Sequence, residues 1–307
     1  MNTGMTYLAD DVRRRANLTI AGASEVDSIV IDDGRATGVR LVNGDSVSAG
    51  SVILSAGAFG SPAILLRSGI GPPIHLEQFD IPVVVDAAVG ARLKEHPFYY
   101  NVYALKPGVT AMEPTAGAII WTRSSEAGVG ELDLHISATH IFDPAQSPTG
   151  GAIVLACAVT LPRSTGSVRL ASRDPHVAPV IRYNFFDDPS DLRRMMEALA
   201  LSRRIGKTSP FSDVVEFEMS PGPGIEDDAD VQKAVIATID GYCHPTSTAP
   251  MGGEDDPCAV VDTDGAVFGV DNLHVVDASI MPDIPSVATN VTTIMIAEAI
   301  SRRLVQW

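Results

Sequence analysis

The chain has 307 residues, 45% of them hydrophobic and 20% charged, with 22 Lys and Arg against 38 Asp and Glu for a formal net charge of −16. That balance argues against nucleic acid or an anionic membrane surface as partner, because attraction to phosphate needs clustered cations. No apolar run approaches the roughly 18 residues of a membrane-spanning helix.

The amino terminus, "MNTGMTYLADDVRRR", has no apolar stretch behind a basic start and does not read as a signal peptide. From there the chain punctuates itself. "EVDSIVI" (25–31) predicts a strand, Asp32-Asp33-Gly34 a turn and "ATGVRLV" (36–42) a second strand. Asn43-Gly44 is a hairpin signal, since both residues tolerate positive φ. "SVSAGSVILSAG" (46–57) predicts a third strand ending at Gly57, with Val52-Ile53-Leu54 buried on both faces. In "SAGAFGSPAILLRSGIG" (55–71), Gly57 and Gly60 permit close backbone approach, and Ser61-Pro62 open a short helix. A strand, a glycine turn and a helix start suit an adenosine or phosphate group, and an ordinary βα connection has the same spacing.

From 86 to 235 strand-like stretches, 117–123, 131–138 and 151–161, alternate with Pro, Gly and Ser loops. A helix follows, with Leu192, Met195, Met196, Leu199 and Ile205 near one face behind a Ser190 cap. The acidic runs Glu226-Asp227-Asp228 and Glu254-Asp255-Asp256 read as solvated loops. Cys157, Cys243 and Cys258 lie far apart without C-x-x-C spacing, which forms neither a disulfide framework nor a zinc site and fits a reducing, cytoplasmic compartment. His135 and His140, five apart in strand-like sequence, read as structural, because no third ligand accompanies them. "DTDG" (262–265) begins like a calcium loop but lacks its later ligands. His96, in "LKEHPFYY", either lines a substrate entrance with Phe98 and Tyr99 or belongs to a packed lid.

The carboxy-terminal stretch carries most chemistry. In "GYCHPTSTAPMGG" (241–253), His244 is either a proton-transfer group or a turn histidine. "NLHVVDAS" (272–279) is a short strand broken by Asp277, and "MPDIPSVATN" a rigid loop. "VTTIMIAEAISRRLV" (291–305) is an amphipathic helix with Ile294, Ala297, Ile300 and Leu304 on one side and Arg302 and Arg303 in its last turn.

Together these segments resemble the glucose–methanol–choline (GMC) flavoprotein oxidoreductases. "GAFGSPAILLRSGIG" (57–71), "HPTSTAPMGG" (244–253) and "VVDASIMPDIPSVATNVTTIMIAEAI" (275–300) carry the resemblance, with weaker similarity in "STGSVRLASRDP" (164–175). It implies a mixed α/β (α+β) fold: a Rossmann-like FAD-binding domain with a β-meander, from 1–85 and 236–307, and a substrate domain, 86–235, of antiparallel sheet covered by helices. It implies FAD as cofactor and a small-molecule alcohol as substrate, its hydride passing to flavin N5. His244 would be the acid/base and Asn290 its partner. Val26 would contact adenine, and Ser55, Ala56, Gly57 and Gly60 would approach the nucleotide. Asp277 and Ala278 would lie near the ribityl and pyrophosphate portion, with Val291 and Thr292 at the helix end facing the ring. No metal is implied.

The sequence departs from the family in having no G-x-G-x-x-G, so the FAD domain reads as incomplete, lacking the amino-terminal part that holds the pyrophosphate. Gly-Ala-Arg-Leu (90–93) stands where the family has Gly-x-Asn-Leu, and Ala249-Pro250 where Cys and a basic or polar residue are common. Either a separate chain supplies the missing unit, or the chain is a remnant or an accessory protein docking onto another flavoprotein. A lyase acting on cyanohydrins with the same histidine is the third reading.

Overall fold

The structure is a computed structural model that describes residues 2–109 and 113–304. Its first sheet is an antiparallel meander of β1 (Val26–Asp32), β2 (Arg35–Leu41) and β3 (Ser46–Ser48). Asp33 and Gly34 both take positive φ, 48° and 75°, the backbone whose twist suits a two-residue hairpin. At the second turn only Gly44 does so, while Asn43 Oδ1 accepts the Asp45 N–H at 3.0 Å.

The single strand expected over 46–57 is two. After β3 the chain leaves β2, and β4 (Val52–Leu54) pairs in parallel with Leu273–Val275, far away in sequence. One strand cannot follow an antiparallel and a parallel neighbour at once, so Ala49–Ser51 break it. Ile53, expected to be buried, is 52% exposed, because this parallel pair is covered on one face only.

Helix α1 (Gly57–Arg67) begins four residues ahead of the expected Ser61-Pro62 start. Asp277 explains the early start. Its Oδ2 accepts the Gly57 N–H at 2.9 Å and the Ser61 hydroxyl at 2.5 Å, and Ser61 Oγ accepts the Ala56 N–H at 3.0 Å. These bonds do the work of an N-cap side chain, which Ala56 lacks. Pro62 therefore lies inside the helix, with no N–H to offer the Ala58 carbonyl. The buried Thr248 hydroxyl donates to that carbonyl instead, at 2.7 Å.

The second sheet is antiparallel and larger. It contains β5 (Pro97–Leu105), β6 (Ala116–Thr122), β7 (Leu134–Thr139) and β8 (Ala152–Val159). A small pair, β9 (Ser167–Arg169) and β10 (Val180–Arg182), follows outside it. Then come α2 (Pro189–Gly206), β11 (Val215–Ser220), α3 (Asp228–Thr238) and β12 (Asp240–Gly241). The sheet order is β11-β5-β8-β7-β6, with β12 also paired to β5. Strand β8 is buried on both faces, and its alternation assigns them. Ile153, Leu155, Cys157 and Val159 meet Met195, Ala198 and Leu199 of α2. Ala152, Val154, Ala156 and Ala158 turn to the opposite face with Phe98 and Val102.

Two helix starts differ from expectation. Asp188, not Ser190, caps α2 and accepts the Ser190 N–H at 2.8 Å, because Pro189 takes the first helical position. Asp227 caps α3, so the run Glu226-Asp227-Asp228 is a helix start rather than a loop, its charges facing the positive end of the dipole.

The last strand, β13 (Leu273–Val275), closes the parallel pair, and α4 (Thr289–Leu304) follows. This helix begins before Asn290, which therefore lies in its first turn, and it buries Ile296 and Ile300 while Ala297 is exposed. A second apolar core joins the meander, α1, β13 and α4 through Leu65, Leu66, Leu273, Ile280 and Ile300. No helix of the described residues is long and apolar enough to cross a membrane.

Two substitutions test the bonds that fix α1. Thr248→Val leaves the Ala58 carbonyl without a donor and should cost about 1–3 kcal/mol. Asp277→Ala strips the acceptor from Gly57, Ser61 and Ser279 together and should cost about 3 kcal/mol or more, with Asp277→Asn milder. Chemical denaturation measures both, and losses within about 0.5 kcal/mol, as at an ordinary surface site, would contradict the account.

Candidate active site

The segment 244–253 runs between two stretches and bonds to both. On one side Thr246 exchanges backbone hydrogen bonds with Lys94, 2.9 and 3.1 Å, and the Thr248 carbonyl accepts the Gly90 N–H at 2.7 Å. On the other, the Ser247, Ala249 and Met251 N–H groups donate to the carbonyls of Ala278, Ser279 and Ile280. Thr246, Ser247 and Thr248 are fully buried, so small side chains are required there. Cys243 and Ser247, with φ of 61° and 67°, bracket His244 with left-handed backbone that costs an L-residue roughly 1 kcal/mol each.

His244 is half-buried, and its Nδ1 lies 3.0 Å from Nδ1 of the buried His96. Nε2 of His96 lies 3.1 Å from the Pro285 carbonyl. These partners assign the protons. A carbonyl only accepts, so His96 carries its proton on Nε2. A neutral ring has one such proton, so His96 Nδ1 accepts and His244 donates from Nδ1. The proton-accepting lone pair of His244 is thereby left on Nε2, which has no hydrogen-bond partner among the described residues and is not buried.

Electrostatics keep both rings neutral. Burial, and then the neighbouring His244, push His96 down to about 3 against the weaker pull of the Pro285 and Thr160 carbonyls. Burial lowers His244 as well. A wall of rings continues from it: Tyr242 lies 4.4 Å from His244 and stacks on Phe98 at 3.9 Å, and His135 stacks on Trp121 at 4.6 Å. Burial holds His135 down to about 4, and its Nε2 is buried without a partner.

Of the residues that the sequence brought forward near His96, Phe98 turns to this wall and Tyr99 does not. Tyr99 belongs to the α2-side core, as strand alternation requires of adjacent residues. His140 bonds the Ala152 carbonyl. Sequence reading missed Glu95, buried against the backbone of both histidines, and Tyr242; only their adjacency to His96 and His244 signalled them.

Val26, Ser55, Ala56 and Gly60 line one open cavity of about 510 Å³, together with Ile53, Phe59 and Arg67. Gly57 stands beside it with φ of 79° and open space where a Cβ would point. Asp277 accepts from Gly57, Ser61 and Ser279, and the Ala278 carbonyl accepts the Ser247 N–H. Asn290 and Val291 are exposed and Thr292 half-exposed in the first turn of α4. Asn290 makes no side-chain hydrogen bond to His244; the loop before α4 reaches the histidine pair through Pro285, whose carbonyl accepts from His96.

Two family models described as GMC oxidoreductase match the chain, over residues 1–98 and 162–297. The chain is 34% identical to an oxygen-dependent choline dehydrogenase of Chromohalobacter salexigens, over 99% of this chain and 60% of that protein. It is 35% identical to a 5-(hydroxymethyl)furfural oxidase of a Methylovorus species, over 96% and 59%. Among solved structures, pyridoxine 4-oxidase from Mesorbium loti superposes with a TM-score of 0.89 at 29% identity, over 99% of this chain and 61% of that one. The chain thus spans about 60% of the length of such relatives, and a separate chain supplying the remainder has no support in these comparisons. The models, the relatives and the fold agree: the chain belongs to the GMC oxidoreductase family, whose cofactor is FAD.

Proposed function

We propose that the chain carries the base and part of the cofactor bed of an FAD-dependent enzyme that oxidises an alcohol carbon. The observation that carries this reading is the proton order of His244, with Nδ1–H committed to His96 and Nε2 bare and unburied. The division into an FAD-binding unit, 1–85 and 236–307, and a substrate unit, 86–235, belongs to the same proposal.

The residues present fit the cofactor. Apolar Val26, Ile53 and Phe59 offer flat contact for the adenine end, and Gly57 and Gly60 keep side chains out of the nucleotide's way. Ser55 and Ala56 would line the same bed, with Asp277 holding the Gly57 turn and Ala278 beneath it. Asn290, Val291 and Thr292 would bring the N-terminus of α4, with its unpaired N–H groups, toward the ring. FAD, when bound, supplies the acceptor for the hydride.

The chain's own part is proton handling. A substrate hydroxyl within reach of His244 Nε2 gives up its proton there. The ring then holds two protons, and the Nδ1–H bond to neutral His96 stabilises the charge without passing a proton onward. The rings of Tyr242, Phe98, Trp121 and His135 exclude water and receive the flat or apolar part of the substrate. Asn290 would hold the substrate oxygen without competing for the proton.

With the complete, FAD-loaded enzyme, His244→Ala should slow flavin reduction by roughly 10²-fold or more in stopped-flow measurements. Because burial lowers the His244 pKa from 6.5, the base stays free below that pH, and the acid loss of rate that it causes should lie under 6.5 and vanish in the variant. An unchanged rate would overturn the assignment.

A further inference from the structure

Glu95 immediately precedes His96 and is buried, 4% exposed. Its Oε1 accepts the His96 N–H at 2.8 Å, and its two oxygens share the His244 N–H at 3.0 and 2.9 Å. One carboxylate thus grips the backbone of both histidines of the relay. Around it the chain is already confined: β12 pairs with the start of β5, and the Tyr242 N–H donates to the His96 carbonyl. Between that pairing and His244 stands Cys243, in left-handed backbone. A non-glycine residue holds such a conformation only where its surroundings over-determine it. The bond from the next N–H to Glu95 is the local constraint that does so. The fit is close, since a Cβ on Gly241 would meet the Glu95 side chain at 3.2 Å.

Among the described residues no cation compensates this acid from next door. Lys94 Nζ donates to the carbonyls of Pro162, Arg163 and Ser164. The titratable groups facing Glu95 are His96 and His244 across the hydrogen bonds, Asp240 on β12 and Tyr183. Both histidines are neutral, and Asp240 repels.

Resting on the reading of His244 as base, we propose that Glu95 is its positioning residue: the ionised carboxylate holds the Cys243–His244 peptide so that Nδ1 meets His96, and protonation of Glu95 loosens that hold. A proton on Oε2 leaves Oε1 as acceptor for both N–H groups, removes the second contact to the His244 N–H, and turns charge-assisted bonds into neutral ones of roughly half the strength. Burial pushes the Glu95 pKa up to about 7, against the pull of the His244, His96 and Tyr242 N–H groups, so the loosening falls near neutrality.

Labelling the chain with ¹⁵N-histidine reports seven amides. Between pH 5 and 9 the His96 and His244 amide protons should move together with a common midpoint near 7, and Glu95→Gln should abolish that step at both while leaving the other five amides as in the wild type. In the FAD-loaded enzyme Glu95→Gln should lower kcat by roughly 10- to 100-fold, as misplacement of a reacting group does, with KM little changed, and Glu95→Asp should restore part of the rate. Amides that show no step, or a step that persists in Glu95→Gln, would overturn the proposal, as would an unaltered kcat. The wild-type titration needs no variant to fold. If His244→Ala left flavin reduction intact while the amide step remained, the base assignment would fail and the backbone grip would stand.

Discussion

The hydrogen bond between His244 Nδ1 and His96 Nδ1, 3.0 Å long, joins two segments that are remote in sequence and run side by side from the β5–β12 pairing. His96 stands at the entry to the large antiparallel sheet, and His244 lies in the run that crosses toward the core around α1 and β13. A bond between two imidazoles is directional in its protons: one ring must give and the other must take. The Pro285 carbonyl decides which, because it has no proton to offer. Burial then protects the decision by keeping His96 neutral far below physiological pH.

Around this relay the structure is built from buried polar bonds that each satisfy a backbone group left open elsewhere. Pro62 deprives Ala58 of its helical partner, and Thr248 supplies one from the same run as His244. Asp277 gathers Gly57, Ser61 and Ser279, so that a strand end, a helix start and a loop meet on one carboxylate. Low dielectric makes each such bond costly to break, which is why small shifts in one segment are resisted by the other. The register between the Gly57 turn and His244 is therefore a property of the polar interior as much as of the apolar cores.

Much of this was legible in the sequence, and the failures share a cause. Asn43-Gly44 announced a hairpin because turn chemistry is local. The strand at 152–159 announced itself as an apolar run between loops, and the helix at 189–206 through its periodicity. The division of 46–57 did not, because β4 answers to β13, a partner remote in sequence. The start of α1 was misread because its cap is Asp277, again remote. His244 could be singled out by its surroundings in the sequence, yet its proton order could not, since that depends on His96 and Pro285. Tyr99 could have been separated from Phe98 by strand alternation alone. Glu95 gave no pattern: an acid beside a histidine acquires meaning only once its carboxylate is seen against two backbone N–H groups.

The tautomer of His244 tests the account most directly. Long-range ¹H–¹⁵N spectra of the histidine rings distinguish a protonated from an unprotonated ring nitrogen. Near pH 8, His244 should show its proton on Nδ1 and a bare Nε2, and His96 the reverse, with replacement of His96 by Phe scrambling the His244 pattern. A His244 that carries its proton on Nε2 in the intact protein would have no lone pair to offer an alcohol there and would contradict the mechanism.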